Sequence, residues 1–327
     1  MSKPRVFVTQ PIAASALERL KTIADVTLNR DASRIIGRKA LIAATRKCDI
    51  LFTKLHDKID RDIIAANPKL RAITSQSITP DNTDVNEATK RGIPVTVVPP
   101  IVAEATADIN LGLMLMVARH MVQGDRLVHR GIFPGSQSDY LAGAPLYGKT
   151  IGLVGGGGRI GQAVARRARG FNMRVIYWGP RRKEEVEREI PMEFVEFGEL
   201  LDDADFVSIH SPLRPETYHQ IGAAELATMK PGAFLINTAR GAIVDEAALV
   251  RALKKKQIAG AGLDVFEFEP KVSRELLKMP NVVTTPHLGS AVHEVRERMA
   301  NIVVDNILAL LEGKRPPNIV NPEVLKS

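Results

Sequence analysis

The feature that most constrains this fold is a run of glycines between a strand-like segment and a helix-like one. Ile151 to Val154 is short and apolar, like a buried strand, and residues 155–161 follow it with the sequence GGGGRIG. The spacing G-x-G-x-x-G fits one frame only, because a frame that begins at Gly155 would need glycine where Ile160 stands. A strand, this turn and a helix together predict a Rossmann unit, whose helix N-terminus faces a dinucleotide pyrophosphate. Gly155 has no role in this frame, and the predicted cofactor-binding positions are Gly156, Gly158, Arg159, Ile160 and Gly161.

The end of the second strand predicts which dinucleotide is bound. In NAD-binding Rossmann units an Asp or Glu about 20 residues beyond the turn accepts hydrogen bonds from the adenosine ribose. Gly179 occupies that place here, and Arg181 and Arg182 follow it. A carboxylate would repel a 2′-phosphate, whereas guanidinium groups bind phosphate in a bidentate manner, so NADP(H) is predicted in preference to NAD(H). The alternative is that Arg181, Arg182 and Lys183 form a solvated cluster that opens the next helix.

Short apolar runs alternate with amphipathic stretches along nearly the whole chain, which is typical of parallel sheets covered by helices. Five strand-like runs occur in the first hundred residues, at Arg5 to Thr9, Val26 to Leu28, Asp49 to Thr53, Leu70 to Thr74 and Pro94 to Val97. Six more follow, at Ile151 to Val154, Met173 to Trp178, Asp205 to Ile209, Ala233 to Asn237, Ala261 to Phe266 and Asn281 to Thr285. Ligands bind beyond the carboxyl ends of parallel strands, so the loops after these six strands are expected to converge on one crevice.

Two helix-like segments divide the chain. One helix is predicted from Val102 to His129, where it forms either core or a subunit interface. A last amphipathic helix is predicted after His287, with its inner face formed by Val295, Met299, Ile302, Val303 and Leu310. The expected fold class is α/β with two doubly wound parallel-sheet domains. A Rossmann cofactor domain, residues 100–290, would be inserted in a smaller flavodoxin-like substrate domain, residues 1–99 and 291–327.

Composition limits the classes of function. Cys48 is the only cysteine among 327 residues, which excludes an intrachain disulfide and a thiolate zinc site and favours a reducing, cytoplasmic compartment. The N-terminal residues lack the apolar region of a signal peptide, and the most apolar stretch, Leu111 to Ala118, is too short to cross a membrane. The formal charge of +8 suits anionic ligands or nucleic acid. No nucleic-acid-binding motif accompanies the short basic clusters, so nucleic acid is not expected as a partner.

Several motifs together resemble the D-isomer-specific 2-hydroxyacid dehydrogenase family. They are the glycine turn, Asn237-Thr238-Ala239-Arg240-Gly241, residues 262–270 (GLDVFEFEP) and residues 286–290 (PHLGS). Residues 82–92 and 104–108 extend the resemblance over nearly the whole chain, and it is closest to the glyoxylate and hydroxypyruvate reductase branch. The resemblance implies a D-stereospecific oxidoreductase, a homodimer, that transfers a hydride between NADP(H) and a small 2-oxo or 2-hydroxy acid.

The resemblance implies that Arg240, Glu269 and His287 are catalytic, and the chemistry of these side chains agrees. Hydride delivered to a 2-oxo carbon leaves negative charge on its oxygen, so an imidazolium such as that of His287 is needed to donate a proton. Glu269 is expected to orient His287 and to favour its protonated form. The guanidinium of Arg240 is expected to bind the substrate carboxylate and to polarise the carbonyl.

Further site residues follow from the resemblance alone. Beside the turn, the residues implied to contact the cofactor are Gly179, Arg181, Arg182, His210, Pro212, Thr238, Ala239 and Asp264. For Asp264 the alternative is a structural helix cap. The residues implied to bind the substrate carboxylate, beside Arg240, are Leu55, Ser77, Ile78 and Thr79, chiefly through backbone amides.

The sequence departs from the family at two places, because family members commonly carry glycine where Thr79 and Pro100 stand. A β-branched residue resists positive φ and proline lacks an N–H, so the shapes of the substrate loop and of the crossing between domains are expected to differ. A second class of function is a non-catalytic dinucleotide-sensing scaffold of the corepressor kind. The presence of Arg240, Glu269 and His287 together favours catalysis.

Overall fold

A computed structural model describes residues 3–325 of the chain. Within these residues the chain divides into two compact units. Unit 1 extends to Ile101 and resumes at Ala291, and unit 2 comprises Val102–Ser290. Each unit is built on a single sheet in which all strands are parallel, so the predicted α/β class with two parallel-sheet domains is confirmed.

Unit 1 contains a five-stranded sheet of order β2-β1-β3-β4-β5. Its strands are β1 (Arg5–Val8), β2 (Asp25–Leu28), β3 (Ile50–Thr53), β4 (Ala72–Ser75) and β5 (Val95–Thr96). Its helices are α1 (Ala14–Ile23), α2 (Arg38–Thr45), α3 (Arg61–Ala65), α4 (Val85–Lys90) and α12 (His293–Leu311). The order reverses at β1, whose neighbours are β2 and β3, so a switch point lies between the carboxyl ends of β1 and β3.

Both ends of the chain contribute to unit 1. Helix α12 packs on α1, where Arg19 donates to Asp305 at 2.7 Å. The inner face of α12 differs in part from the prediction, because Val295, Ile302 and Leu310 are only half-buried and the buried residues are Met299, Ala300, Val303, Val304, Asn306 and Ile307. The segment after α12 then covers the edge of the sheet, since the Val320 amide donates to the Val95 carbonyl at 2.8 Å and the Asn321 side chain accepts from the Val95 amide.

Unit 2 contains a seven-stranded sheet of order β12-β11-β10-β9-β6-β7-β8. Its strands are β6 (Thr150–Val154), β7 (Arg174–Trp178), β8 (Glu193–Phe194), β9 (Phe206–Ile209), β10 (Phe234–Asn237), β11 (Gly260–Leu263) and β12 (Val282–Thr284). Its helices are α5 (Ala103–Ala118), α6 (Met121–His129), α7 (Arg159–Gly170), α8 (Glu184–Glu189), α9 (Phe197–Asp203), α10 (Ala223–Thr228) and α11 (Glu246–Lys254). The short edge strand β8 was not predicted. The order reverses at β6, between β9 and β7, which makes the loops after β6 and β9 the walls of a second switch point.

The predicted single helix from Val102 to His129 is wrong. Helix α5 ends at Ala118, and His120 takes a left-handed conformation with φ 51° before α6 begins. The Ala118 carbonyl accepts a hydrogen bond from the Ala144 amide at 2.9 Å, so a distant loop takes the place of the next helical turn. Nine residues of α5 are buried, whereas none of α6 is. Among the described residues, no helix is both long and apolar enough to cross a membrane.

The loops that follow β10 and β11 approach each other so closely that one of them must be glycine. A Cβ atom on Gly241 would lie 1.9 Å from the carbonyl carbon of Phe266 and 2.4 Å from the Glu267 amide nitrogen. Both neighbours are backbone, so they cannot move aside by a rotamer change. The two loops, which carry Arg240 and Glu269, are thus held at backbone contact distance.

We expect Gly241→Ala to lower the free energy of unfolding by about 1–3 kcal/mol or more, because the added methyl overpacks two backbones. Chemical denaturation followed by circular dichroism measures this change. Gly198→Ala is the matched control, since nothing lies within 4 Å of its Cβ position in α9. Equal stabilities of the two variants would contradict the close approach.

Candidate active site

The glycine turn joins β6 to α7 as the motif predicts. Helix α7 begins at Arg159, directly after Gly158, and the Gly158 amide donates to the Gly155 carbonyl at 3.0 Å. A Cβ on Gly161 would lie 2.5 Å from the Gly156 Cα, and a Cβ on Gly156 would lie 2.6 Å from the Tyr177 Cβ. These contacts leave no room for side chains, so the turn presents backbone at the N-terminus of α7.

Gly155, which has no role in the motif frame, is as constrained as the motif glycines. Its φ is +83°, a conformation that disfavours any side chain. A Cβ there would lie 2.8 Å from the Ser211 amide nitrogen and 2.9 Å from the His210 carbonyl carbon. Gly155 therefore allows the loops after β6 and β9 to meet at the switch point of the sheet. In the sequence, the only indication of this constraint on Gly155 was the run of four consecutive glycines.

The end of β7 has the space that the sequence predicts. Gly179 is buried, and within 4 Å of its Cβ position the nearest atom is the Arg181 carbonyl oxygen, at 3.9 Å. Arg181 is exposed and forms no ion pair with a described residue. Arg182, by contrast, donates to both carboxylate oxygens of Glu187, at 2.7 to 3.1 Å. This contact raises the pKa of Arg182. The guanidinium that the sequence predicts to bind the 2′-phosphate is therefore paired with Glu187 in this structure.

Lys183 was considered only as part of a solvated cluster, yet it contacts the glycine turn. Its Nζ donates to the Gly157 carbonyl at 3.0 Å, and its amide donates to the Tyr177 hydroxyl at 2.8 Å. The Tyr177 hydroxyl in turn donates to Glu187 at 2.7 Å. A positive charge therefore lies beside the turn, where sequence spacing alone gave no reason to expect it.

His210 directly follows β9 and contacts a chain of buried polar groups. Its Nε2 lies 3.0 Å from the Ser208 hydroxyl, and the Asn110 amide nitrogen donates to Ser208 at 2.8 Å and to Thr238 at 3.2 Å. Burial lowers the pKa of His210 to about 3, so this imidazole is neutral at physiological pH. Its Nδ1 is buried and has no partner among the described residues. Pro212 follows, and its carbonyl accepts from the Thr217 hydroxyl at 2.7 Å.

Asp264, at the end of β11, organises the loop that carries His287. Its carboxylate accepts from the Thr285 hydroxyl at 2.6 Å, the Leu288 amide at 2.7 Å and the Gly289 amide at 2.9 Å. Its backbone carbonyl accepts from the His287 amide at 2.9 Å. Burial raises the pKa of the Asp264 carboxyl, although these donors oppose the shift. These contacts give Asp264 a structural role, as in the alternative to a cofactor contact. They connect neighbouring loops, however, and do not cap a helix.

Glu269 and His287 lie in contact. The Oε2 atom of Glu269 is 3.0 Å from Nδ1 of His287, and its Oε1 accepts from the Phe266 amide at 2.9 Å. Both side chains are about one-fifth exposed, at 20% for Glu269 and 18% for His287. His287 has φ 55°, an uncommon conformation for a residue with a side chain. The Phe266 amide thus orients the Glu269 carboxylate, which in turn orients the His287 ring through Nδ1.

Arg240 lies in the loop after β10, on a backbone held by Asn237. The Asn237 side chain donates to the Arg240 carbonyl at 3.0 Å and accepts from the Ala239 amide at 3.0 Å. The Arg240 guanidinium donates to the Ala239 carbonyl at 2.8 Å. Unit 2 therefore brings Arg240, Glu269 and His287 to the same edge of its sheet, after β10, β11 and β12.

Glu246 and Glu267 stabilise the loop that carries Glu269. The carboxylate of Glu267 accepts from the Glu246 amide at 3.1 Å, and the carboxylate of Glu246 accepts from the Glu267 amide at 3.2 Å. Glu246 also accepts from the Ser273 amide at 3.2 Å, and His219 Nε2 lies 2.8 Å from Glu267. Glu267 thus has a structural role, whereas Glu269 is the carboxylate that contacts His287. The roles of Glu246 and His219 were not predicted.

The residues assigned to substrate binding lie at the carboxyl edge of the unit 1 sheet. Leu55 follows β3, and Ser77, Ile78 and Thr79 follow β4. No described residue accepts a hydrogen bond from the backbone amides of Leu55, Ser77 or Ile78. The Thr79 amide lies 3.4 Å from the Ser77 hydroxyl, and the Thr79 hydroxyl donates to Asp81 at 2.8 Å. The edge thus presents N–H donors that suit an anion.

Two kinds of comparison relate the chain to known proteins. Residues 111–289 match the model of the D-isomer specific 2-hydroxyacid dehydrogenase family, NAD binding domain. The glyoxylate reductase of Thermococcus litoralis is 47% identical over 329 residues, with 99% of each chain covered. That of Pyrococcus horikoshii is 46% identical over 328 residues, with 99% of this chain and 98% of the relative covered.

Solved structures agree with the sequence relatives. A protein from Thermus thermophilus superimposes with a TM-score of 0.88 at 42% identity, over 97% of this chain and 99% of that one. The NADPH-dependent glyoxylate/hydroxypyruvate reductase of Sinorhizobium meliloti, in complex with NADP and malonate, gives a TM-score of 0.81 at 32% identity. That match covers 100% of this chain and 99% of the relative. On these matches and on the motifs around Arg240, Glu269 and His287, the chain belongs to the D-isomer specific 2-hydroxyacid dehydrogenase family.

Proposed function

We propose that this protein is an NADP(H)-dependent, D-stereospecific reductase of glyoxylate, hydroxypyruvate or a similar small 2-oxo acid. The observation that carries the proposal is the 3.0 Å contact between Glu269 and Nδ1 of His287. This contact orients His287 as a general acid at the carboxyl edge of the unit 2 sheet. The relatives named glyoxylate reductases support the choice of substrate.

The residues of unit 2 fit a dinucleotide. The turn from Gly155 to Gly161 is a cradle that side chains would fill, and it opens a helix of 12 residues whose N-terminus favours phosphate. Beyond it, Gly179 leaves room at the place of the adenosine ribose, and Arg181 carries a positive charge there without an ion-pair partner among the described residues. We therefore propose that NADP(H) is preferred, with Arg181 as the main contact of the 2′-phosphate. Arg182 would also bind the 2′-phosphate once its hydrogen bonds to Glu187 are broken.

The reduction needs one hydride and one proton. NADPH held by the glycine turn and Arg181 would supply the hydride. His287 donates the proton to the carbonyl oxygen as charge develops on it, and since Glu269 holds Nδ1, the transferred proton is the one on Nε2. The negative Glu269 stabilises the imidazolium before transfer. In the reverse direction His287 accepts the proton of the hydroxyl group.

The substrate carboxylate needs its own contacts. Arg240 offers a guanidinium on a backbone fixed by Asn237, and it carries positive charge near the carbonyl that becomes negative. The backbone amides of Leu55, Ser77 and Ile78 offer donors that no described residue uses. We propose that these groups bind the carboxylate, with Thr79 shaping the loop.

Unit 2 also offers a surface for a homodimer. Helix α6 has no buried residue, and large apolar side chains are exposed on it and on the segment that follows. These side chains are Met121, Val128, Ile132, Phe133, Tyr140 and Tyr147. Apolar patches of this kind mark interaction sites on soluble proteins. We propose that a second copy of the chain covers this surface, and that the enzyme, with its single buried thiol at Cys48, acts in the cytoplasm.

Purified protein is expected to oxidise NADPH when glyoxylate or hydroxypyruvate is added. His287→Ala should lower kcat by about 100-fold or more, with little change in the Kd for NADPH, because general acid catalysis typically contributes at least that factor. His293→Ala is the control, since His293 is exposed and belongs neither to the candidate site nor to the proposed dimer surface. Absorbance at the nicotinamide band and a fluorescence titration give the two quantities. Failure of the wild type to oxidise NADPH or NADH with any 2-oxo acid would favour the dinucleotide-sensing scaffold instead.

Arg181→Ala combined with Arg182→Ala is expected to raise the KM for NADPH by about tenfold or more while leaving that for NADH nearly unchanged. Each guanidinium that bonds a phosphate contributes on the order of 1–3 kcal/mol, and NADH lacks that phosphate. Arg188→Ala is the matched control, because Arg188 is exposed on α8 and pairs with Glu184 at 3.7 Å. An unchanged ratio of the two KM values would remove both arginines from cofactor selection.

Phe133→Asp is expected to shift the protein from dimer to monomer, because it introduces a charge into the apolar surface proposed to be buried. Light scattering after size-exclusion chromatography measures the mass. Leu277→Asp, at an apolar side chain that is 59% exposed and is not one of the residues of this surface, should leave the mass unchanged. A wild-type monomer at micromolar concentration would contradict the proposed dimer.

A further inference from the structure

A cluster of polar residues lies at the switch point of the unit 1 sheet. Thr9 follows β1, Lys54 and Asp57 follow β3, and Gln76 follows β4. In a doubly wound sheet of order 2-1-3-4-5, ligands bind beyond the carboxyl ends of the strands at the point where the order reverses. The reductase mechanism uses none of these four side chains.

The positive charge in this cluster is not balanced. The Lys54 ammonium donates to Oε1 of Gln76 and lies 5.7 Å from the centre of the Phe52 ring. The Gln76 amide nitrogen donates to the backbone carbonyl of Arg296, on α12, at 3.1 Å. Within the described chain, neither Lys54 nor Arg296 has a carboxylate oxygen within 4 Å. Gln76 therefore links the Lys54 ammonium to the α12 backbone at Arg296, an exposed residue, and neither cationic side chain has an ion-pair partner among the described residues.

Asp57 forms no ion pair with the side chain of Lys54 or Arg296. It is 1% exposed, and its Oδ2 accepts from the Thr9 hydroxyl and from the Lys54 backbone amide, the latter at 2.6 Å. Burial raises the pKa of Asp57, which favours its uncharged form relative to an exposed carboxyl. This side chain serves to fix the loop after β3.

The two cations repel each other. Burial lowers the pKa of Lys54 to about 7, and the Arg296 charge lowers it further than burial alone would, whereas Asp57 acts in the opposite direction. Burial, and in second place the nearby positive charge of Arg296, therefore make the charged ammonium costly until an anion binds. An anion at this place would relieve both the repulsion and the lost hydration.

We propose that Lys54 and Arg296, joined through Gln76, form an anion-binding subsite that takes the second carboxylate of a 2-oxo dicarboxylate. The inference rests on the proposed function. The first carboxylate is assigned there to the amides of Leu55 and Ser77, which directly follow Lys54 and Gln76 in the chain. The subsite would extend the substrate class from glyoxylate to 2-oxo acids with a distal negative charge.

The kinetic test compares oxaloacetate with 2-oxobutyrate, which has the same chain length and lacks the second carboxylate. Lys54→Met should lower kcat/KM for oxaloacetate by about tenfold or more and leave that for 2-oxobutyrate within about twofold, because a charge-assisted contact is lost for one substrate only. Lys58→Met is the matched control, on an exposed lysine of the same loop. Equal losses on both substrates would overturn the subsite.

A binding test separates this inference from the proposed function. Succinate undergoes no reduction, so its affinity for the intact protein, measured by titration calorimetry, does not depend on catalysis. Wild type and Lys58→Met should bind succinate, Lys54→Met should bind it at least about tenfold more weakly, and Lys54→Arg should restore binding. Weak binding by wild type, or equal binding by Lys54→Met, would overturn the subsite even if glyoxylate is reduced. Binding that requires Lys54 would support it even if no 2-oxo acid is reduced.

The pH dependence adds a signature that a structural lysine lacks. Because the Lys54 pKa is near 7, the ammonium loses its proton as pH rises through that value, so succinate affinity of wild type should fall between about pH 6 and about pH 8. The charged groups that face Lys54 are Arg296 from α12 and Asp57 from its own loop, and His56 faces Asp57. Lys54→Arg, which keeps its charge, should flatten this fall. A profile identical to that of wild type would assign the titration to another group.

Discussion

Backbone contact between loops is the constraint on which the candidate site depends. At two places on the carboxyl edge of the seven-stranded sheet, neighbouring loops meet at distances that exclude even a methyl group. Gly155 meets the loop after β9, and Gly241 meets the loop after β11. These contacts fix the cofactor turn and Arg240 relative to the loops beside them without relying on flexible side chains. Catalytic groups need placement to within a fraction of an ångström, and backbone packing supplies it.

Polar contacts then orient the side chains on this rigid frame. Asp264 accepts three hydrogen bonds from the segment around His287, and Glu269 uses one oxygen for a backbone amide and the other for the imidazole. The reciprocal pair of Glu246 and Glu267 ties the loop of Glu269 to the start of α11. Each of these carboxylates thus accepts at least one hydrogen bond from a backbone N–H group. Such donors stabilise negative charge, so several acidic residues can share one edge of the sheet.

The sequence predicted what is local and periodic, and missed what depends on tertiary contact. The glycine frame, the parallel strands and the strand ends that carry Arg240, Glu269 and His287 follow from patterns within a few residues. The break at His120 does not, since the apolar pattern continues through it and the Ala144 amide that ends α5 is distant in the chain. Strand β8 has two residues, too few for a pattern. The pairing of Arg182 with Glu187 and the contact of Lys183 with Gly157 depend on how the loop after β7 folds back, which spacing does not encode.

Basic side chains near the carboxyl ends of the two sheets can be compared by their hydrogen-bond and ion-pair partners. In unit 2, two of the basic residues near the cofactor turn have acceptors, since Arg182 donates to Glu187 and Lys183 donates to the Gly157 carbonyl, whereas Arg181 has no ion-pair partner among the described residues. In unit 1, the Lys54 ammonium has the neutral Gln76 as its hydrogen-bond acceptor, and burial, followed by the nearby Arg296 charge, lowers its pKa. A protein of net charge +8 gains nothing in stability from such an arrangement, because like charges near a sheet end are unfavourable in the absence of a ligand. Unbalanced charge at the switch point of a sheet is therefore better explained by binding than by folding, and Lys54 shares this property with Arg181, the residue proposed to contact the 2′-phosphate.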